Sequence, residues 1–94
     1  MREGSAAEIT RGTRVVGRDG NTIGGVTEVL LDEASGIFHG VAVRPNLFTH
    51  DLEIPGGQVE RLTDGVLYVD AVESELQPYQ TAAERYQETV DANT

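Results

Sequence analysis

The sequence predicts a small all-β domain, a six-stranded barrel followed by a short C-terminal helix. Three observations carry that expectation. Turn signals recur at short intervals, the segments between them are brief and rich in Val, Leu and Ile, and helical spacing takes over only near the end. The turns are Arg18-Asp19-Gly20-Asn21, Ala34-Ser35-Gly36, Pro55-Gly56-Gly57 and Thr63-Asp64-Gly65. Asp-Gly between apolar runs is a strong hairpin signal, because glycine supplies the positive φ that tight turns need.

Between the turns lie five to six strand segments: Thr13–Gly17, Thr22–Asp32, Ile37–Arg44, Asp51–Ile54, Gln58–Leu62 and Val66–Asp70. In the third, Ile37, His39, Val41 and Val43 share one face and Phe38, Gly40 and Ala42 the other. Apolar residues on both faces suit a closed barrel with something packed outside it. The apolar phase of the second segment shifts between Ile23 and Val26, across Gly24-Gly25. A glycine pair inside a strand marks a bulge or bend where a barrel turns a corner.

From Ser74 the pattern turns helical. Pro78 suits a first turn, and Tyr79, Ala82, Ala83, Tyr86 and Val90 recur at spacings of three and four. Gln80, Glu84, Gln87, Glu88 and Asp91 fall on the opposite side. So short a helix needs something to pack on, either the barrel or a second chain. The expected division is a flexible N-terminus over 1–7, a barrel over 8–76 and a helical tail over 77–94.

Composition narrows the function. With 38% hydrophobic residues and 5% aromatics in 94 residues, there is material for one core. The net charge is -9, every basic residue is Arg, and the arginines do not cluster; phosphate binding by counterion release is therefore not expected. Without cysteine, disulfides and thiolate sites are excluded. No apolar run is long enough to span a bilayer, and the N-terminus has no leader-like apolar region. The expectation is a soluble, cytoplasmic protein without membrane insertion.

The order of features resembles a known family. Arg11-Gly12-Thr13-Arg14-Val15-Val16 is followed by Asp19-Gly20-Asn21-Thr22-Ile23-Gly24-Gly25-Val26 and Val29-Leu30-Leu31-Asp32. Then come Gly36-Ile37, Val41-Ala42-Val43-Arg44, Leu52-Glu53-Ile54-Pro55 with Val59, and Asp64-Gly65-Val66-Leu67-Tyr68-Val69-Asp70. Together these resemble the PRC-barrel family over roughly residues 8–76. The resemblance implies a barrel of about six strands that serves as a docking or structural element, without a shared catalytic motif. The chain looks like a free-standing single-domain member. In that pattern Gly12, Gly20, Gly24, Gly25, Gly36 and Gly65 take turns or bends, and Pro55 a strand exit.

Few residues suggest chemistry. In His50-Asp51-Leu52-Glu53, strand alternation turns His50 away from Asp51 and Glu53, so a metal site is not expected. His39, in phase with Val41 and Val43, reads as a half-buried imidazole bonded to a backbone carbonyl. Gly17 through Gly25 is glycine-rich but opens a strand, where phosphate-binding loops open a helix. Asp32 and Glu33 read as solvated turn charges. The loop Arg44-Pro45-Asn46-Leu47-Phe48-Thr49-His50 stands out, since it puts Leu47 and Phe48 where polar residues are usual; it either plugs one barrel end or forms a partner-binding patch.

The expected function is a non-catalytic protein–protein interaction module, without cofactor or metal, that forms a homodimer. Its surface is expected to combine Leu47 and Phe48 with Tyr79, Ala82, Ala83, Tyr86 and Val90. The alternative is a barrel that binds a small ligand or a metal. The charge balance predicts no binding to duplex DNA or RNA at physiological salt; salt-sensitive micromolar binding in an anisotropy titration would contradict it.

Overall fold

A computed structural model describes residues 8–32 and 34–80 of the chain. Seven strands form one sheet: β1 (Arg14–Val16), β2 (Thr22–Leu31), β3 (Phe38–Arg44), β4 (Leu52–Pro55), β5 (Val59–Thr63), β6 (Val66–Val69) and β7 (Gln77–Pro78). Their order is β5-β6-β1-β2-β3-β4-β7. Neighbours are antiparallel except β1 and β6, which are parallel. The fold is all-β, as the turn spacing implies.

Two expectations need correction. The sheet has seven strands and not six, and it does not close, because β5 and β7 are its two ends. The helical character that the spacing predicts from Ser74 is also absent from the described residues up to 80. Instead Glu73–Glu75 makes a single 3₁₀ turn, Leu76 is buried in the core, and Gln77 and Pro78 pair with Glu53 and Leu52 of β4. The chain stays extended to Tyr79, whose N–H donates to the Asp51 carbonyl at 2.8 Å. Proline fits the first turn of a helix and an edge strand equally well, since neither asks for its missing N–H. Leu76 decides between them, because its burial holds the following residues against β4. Ala82, Ala83, Tyr86 and Val90, like residues 1–7, lie outside the described residues.

One core organises the sheet. Val15, Val26, Val41, Val43, Ile54, Val59 and Leu67, from β1 through β6, belong to one buried cluster with Ile9, Ile23, Val69, Ala71 and Leu76. Fully burying each Val, Leu or Ile stabilises by about 1.5–3 kcal/mol. To bring six strands around so small a core the sheet must curl, and register shifts supply the bends. On β2, Ile23 is the extra residue against β1, where Val15 and Val16 face Gly24 and Thr22. Thr27 is the extra residue against β3, where Val26 and Glu28 face Val43 and Ala42. On β3, His39 plays that part, since Leu30 and Leu31 face Gly40 and Phe38. Such bulges bend a strand and increase its twist. The apolar phase shift between Ile23 and Val26 is thus set by the bulge at Ile23, immediately before Gly24-Gly25.

Local chemistry fixes the connections. Asp64 and Gly65 both have positive φ, 53° and 75°, joining Thr63 to its partner Val66 in the two-residue turn that Asp-Gly favours. The ends of the sheet are blunted. β7 is two residues long and contains Pro78, while β5 carries Glu60 and Arg61 and a register shift between Val59 and Arg61. Short length, proline, charge and bulges all discourage edge-to-edge pairing.

The tightest approach is at Gly40. Its φ is 136°, and a Cβ there would collide with the Ile54 carbonyl of β4. Gly40→Ala is expected to destabilise the domain by about 2 kcal/mol or more, because a strained φ and a backbone clash add. Urea unfolding measures this, and a loss below about 0.5 kcal/mol, the range of ordinary surface changes, would contradict it.

Candidate interaction surface

The β3–β4 connection, residues 45–50, is clamped at its base. Arg44 ends β3 and Asp51 precedes β4, and the Arg44 Nε donates to Asp51 Oδ1 at 2.9 Å. The other oxygen, Oδ2, accepts the Thr27 hydroxyl at 2.6 Å. That hydroxyl also lies 3.3 Å from the Ala42 carbonyl, but it has one proton and the shorter contact takes it. Asp51 thereby joins β2, β3 and β4, and its carbonyl receives Tyr79 beside β7. Its side chain is only 18% exposed. Burial pushes the Asp51 carboxyl up, while bonds from the Thr27 hydroxyl and the Arg44 guanidinium outweigh it and hold the group below its ordinary 3.8.

Inside the loop, Asn46 Oδ1 accepts the Phe48 N–H at 2.8 Å, and the Asn46 carbonyl accepts the Thr49 hydroxyl at 3.4 Å. Asparagine favours such side-chain-closed turns. Leu47 and Phe48 stand at the tip, 84% and 97% exposed. The loop therefore does not plug the barrel. It presents two apolar side chains to solvent on a base held by charged hydrogen bonds.

The other sequence-predicted residues are structural. Gly12, Gly20, Gly36 and Gly65 adopt positive φ, and Pro55 ends β4 before a 3₁₀ turn. A Cβ on Gly24 would run into the Arg44 carbonyl, so this glycine lets β2 pass beneath the end of β3. Gly25 faces both Arg14 and Arg44. Tyr79 is half-buried beside Asp51.

Both histidines lie on the surface. His39 is not half-buried as its strand phase implied: its side chain is 59% exposed, 3.9 Å from Asp32 Oδ2, because it is the extra residue of a bulge and loses the alternation of Val41 and Val43. His50 is exposed in the loop, while the Asp51 carboxylate turns to Thr27 and Arg44. Among the described residues, no three potential metal-ligating side chains cluster.

Two features escape sequence reading. Leu31 and Ile37, 51% and 58% exposed, flank the β2–β3 turn at the far end of β3 from Leu47 and Phe48. Only their position beside the Ala34-Ser35-Gly36 turn hinted at exposure. The second is an open depression of about 200 Å³ lined by Gly17, Arg18, Glu60, Arg61, Tyr68 and Val69, where the Arg61 guanidinium lies 4.2 Å above the Tyr68 ring. Arg18 there is engaged: it reaches Glu75 at 3.0 Å and Asp70 at 3.3 Å, tying the segment after β6 to the β1–β2 turn. All three side chains are about half exposed, so the staple adds little stability.

The clamp makes a pH prediction. A carboxyl whose folded pKa lies below its unfolded value contributes stability that is fully present above the unfolded 3.8 and is lost as pH falls through the folded value. Asp51→Asn is therefore expected to cost about 1–3 kcal/mol at pH 7, the scale of a charged hydrogen bond, and progressively less below pH 4. Urea unfolding at both pH values measures it. A variant whose deficit is equal at pH 7 and pH 2.5 would show that the charge plays no part.

No helix among the described residues is long and apolar enough to cross a membrane. No curated protein matches the chain. The model of the PRC-barrel domain matches residues 5–76, a span from ahead of β1 to the buried Leu76 that takes in the clamped loop. The chain belongs to the PRC-barrel domain family.

Proposed function

We propose that the chain is a non-catalytic, cytoplasmic protein–protein interaction module that self-associates as a homodimer. Its contact surface is the Leu47–Phe48 loop together with the C-terminal segment that carries Tyr79, Ala82, Ala83, Tyr86 and Val90. The observation that carries this reading is the exposure of Phe48, 97%, on a loop held by Asn46 and by the Arg44–Asp51 clamp. A flexible loop could fold an apolar tip inward. One fixed in place keeps it exposed and loses little entropy when a partner covers it. Aromatic anchors of this kind dominate the energetics of interfaces.

The carboxylates support the non-catalytic part. Asp19, held by the Asn21 N–H, and Asp32, held by the Ser35 N–H, lie below their ordinary values. So does Glu75, held by Arg18, and so does Asp51. General acid–base work at neutral pH asks for the opposite shift, and these groups instead hold turns and the clamp.

Light scattering tests the reading. The wild-type chain should have twice the monomer mass, and Leu47→Ser with Phe48→Ser should lower it toward the monomer while leaving the thermal melt unchanged. A wild-type protein that stays monomeric at high concentration would overturn self-association.

A further inference from the structure

The outward face of the sheet carries arginines in a row. Val15, Val26 and Val43 point into the core, so by alternation Arg14, Gly25 and Arg44 face outward. Register sets them side by side, Arg14 opposite Gly25 and Gly25 opposite Arg44. At ordinary strand spacing the Cα atoms of Arg14 and Arg44 are about 10 Å apart. Between them lies backbone without side chains, that of Gly25 with the Gly12 backbone packed at van der Waals distance over it. Val66 adjoins Arg14 on the far side, and Tyr68, beneath Arg61, lies further along the same face.

These cations are available in an acidic chain. Among the described residues Arg11 and Arg14 have no carboxylate partner, Arg44 spends its Nε on Asp51, and Arg61 has only Glu60 at 3.8 Å. The row ends beside the site already described. Arg44 opens the Leu47–Phe48 loop, and Tyr79, bonded to the Asp51 carbonyl, is where the C-terminal segment departs.

We propose that this arginine row receives the C-terminal segment, residues 81–94, of a second copy of the chain; the inference rests on the self-association reading. Two copies of charge -9 repel unless their contact brings opposite charges together. The segment carries Glu84, Glu88 and Asp91 against one Arg85, interleaved with Ala82, Ala83, Tyr86 and Val90. The face offers Arg14 and Arg61 around Val66 and Tyr68 as the complement, with Arg44 already held by Asp51. Glu28 and Glu53, both opposite Ala42, share the face beyond Arg44 and confine the contact to the β1–β6 side. In a two-fold pair each row receives the partner's segment, so the contact forms twice.

Paired charge reversal tests this on full-length chains. One variant carries Arg14→Glu and Arg61→Glu, both at exposed or half-exposed positions; the other carries Glu84→Arg, Glu88→Arg and Asp91→Arg. Alone, each should dimerise at least about tenfold more weakly than wild type by sedimentation, with unchanged far-UV circular dichroism and melting. Mixed in equal amounts, they should regain the dimer, because each segment then meets an opposite row. A wild-type dimer that the arginine reversals leave intact would overturn this inference alone. So would folded variants that stay monomeric on mixing, which would place the segment on its own chain or elsewhere. A monomeric wild type would overturn the self-association reading along with it.

Discussion

The backbone crowding at Gly24 and Gly40 is the constraint on which the rest of the molecule depends. A core of about a dozen residues can be enclosed by short strands only if the sheet curls tightly, and a tight curl brings neighbouring backbones closer than side chains allow. Gly40 passes under the Ile54 carbonyl and Gly24 under that of Arg44, so both ends of β3 are pressed against the strands beside it. A Cβ at either point would push β3 outward and open the cavity that Val41 and Val43 fill, which costs both burial and packing contacts.

Curling also breaks the ladder, and the breaks reappear as the features that shape the surface. When β2 takes an extra residue at Thr27, that residue steps out of register, and its hydroxyl is free to reach the Asp51 carboxylate. Asp51 in turn fixes Arg44, the start of the neighbouring loop, and through its carbonyl the backbone at Tyr79. The bend that lets β2 wrap the core and the pose of Leu47 and Phe48 are therefore set by one residue. Two donors meet the carboxylate and together outweigh the cost of its partial burial.

What was legible in the sequence was whatever local chemistry alone decides. Asp64-Gly65 makes the turn its dipeptide demands, Val41 and Val43 fall inside, and the phase shift before Val26 does mark bends. What was not legible depended on long-range partners. Pro78 suits a helix start or a sheet edge, and the buried Leu76 and the free edge of β4, both products of the folded core, put it in the sheet. Ring closure was not legible either, since strand count and alternation do not say whether the last edge finds the first. His39 and Ile37 read as inward because alternation was extended through a bulge that only the pairing with β2 creates. Leu47 and Phe48 were visible as anomalies, and the Asn46 turn and the Arg44–Asp51 clamp turn the anomaly into an exposed tip.

An exposed Phe48 is a standing cost in solubility, and the charge of -9 is what offsets it. Repulsion between copies acts over a Debye length, about 8 Å at physiological ionic strength, and opposes random sticking of apolar tips from any direction. Apolar attraction acts only at contact. In the self-association proposed above, a surface with both would be selective: copies would approach closely only in orientations that place carboxylates against the arginines of the outward face. Under that proposal the requirement singles out the region where Arg14, Gly25 and Arg44 lie beside the clamped loop, and the acidic composition takes part in recognition as well as in the repulsion between copies.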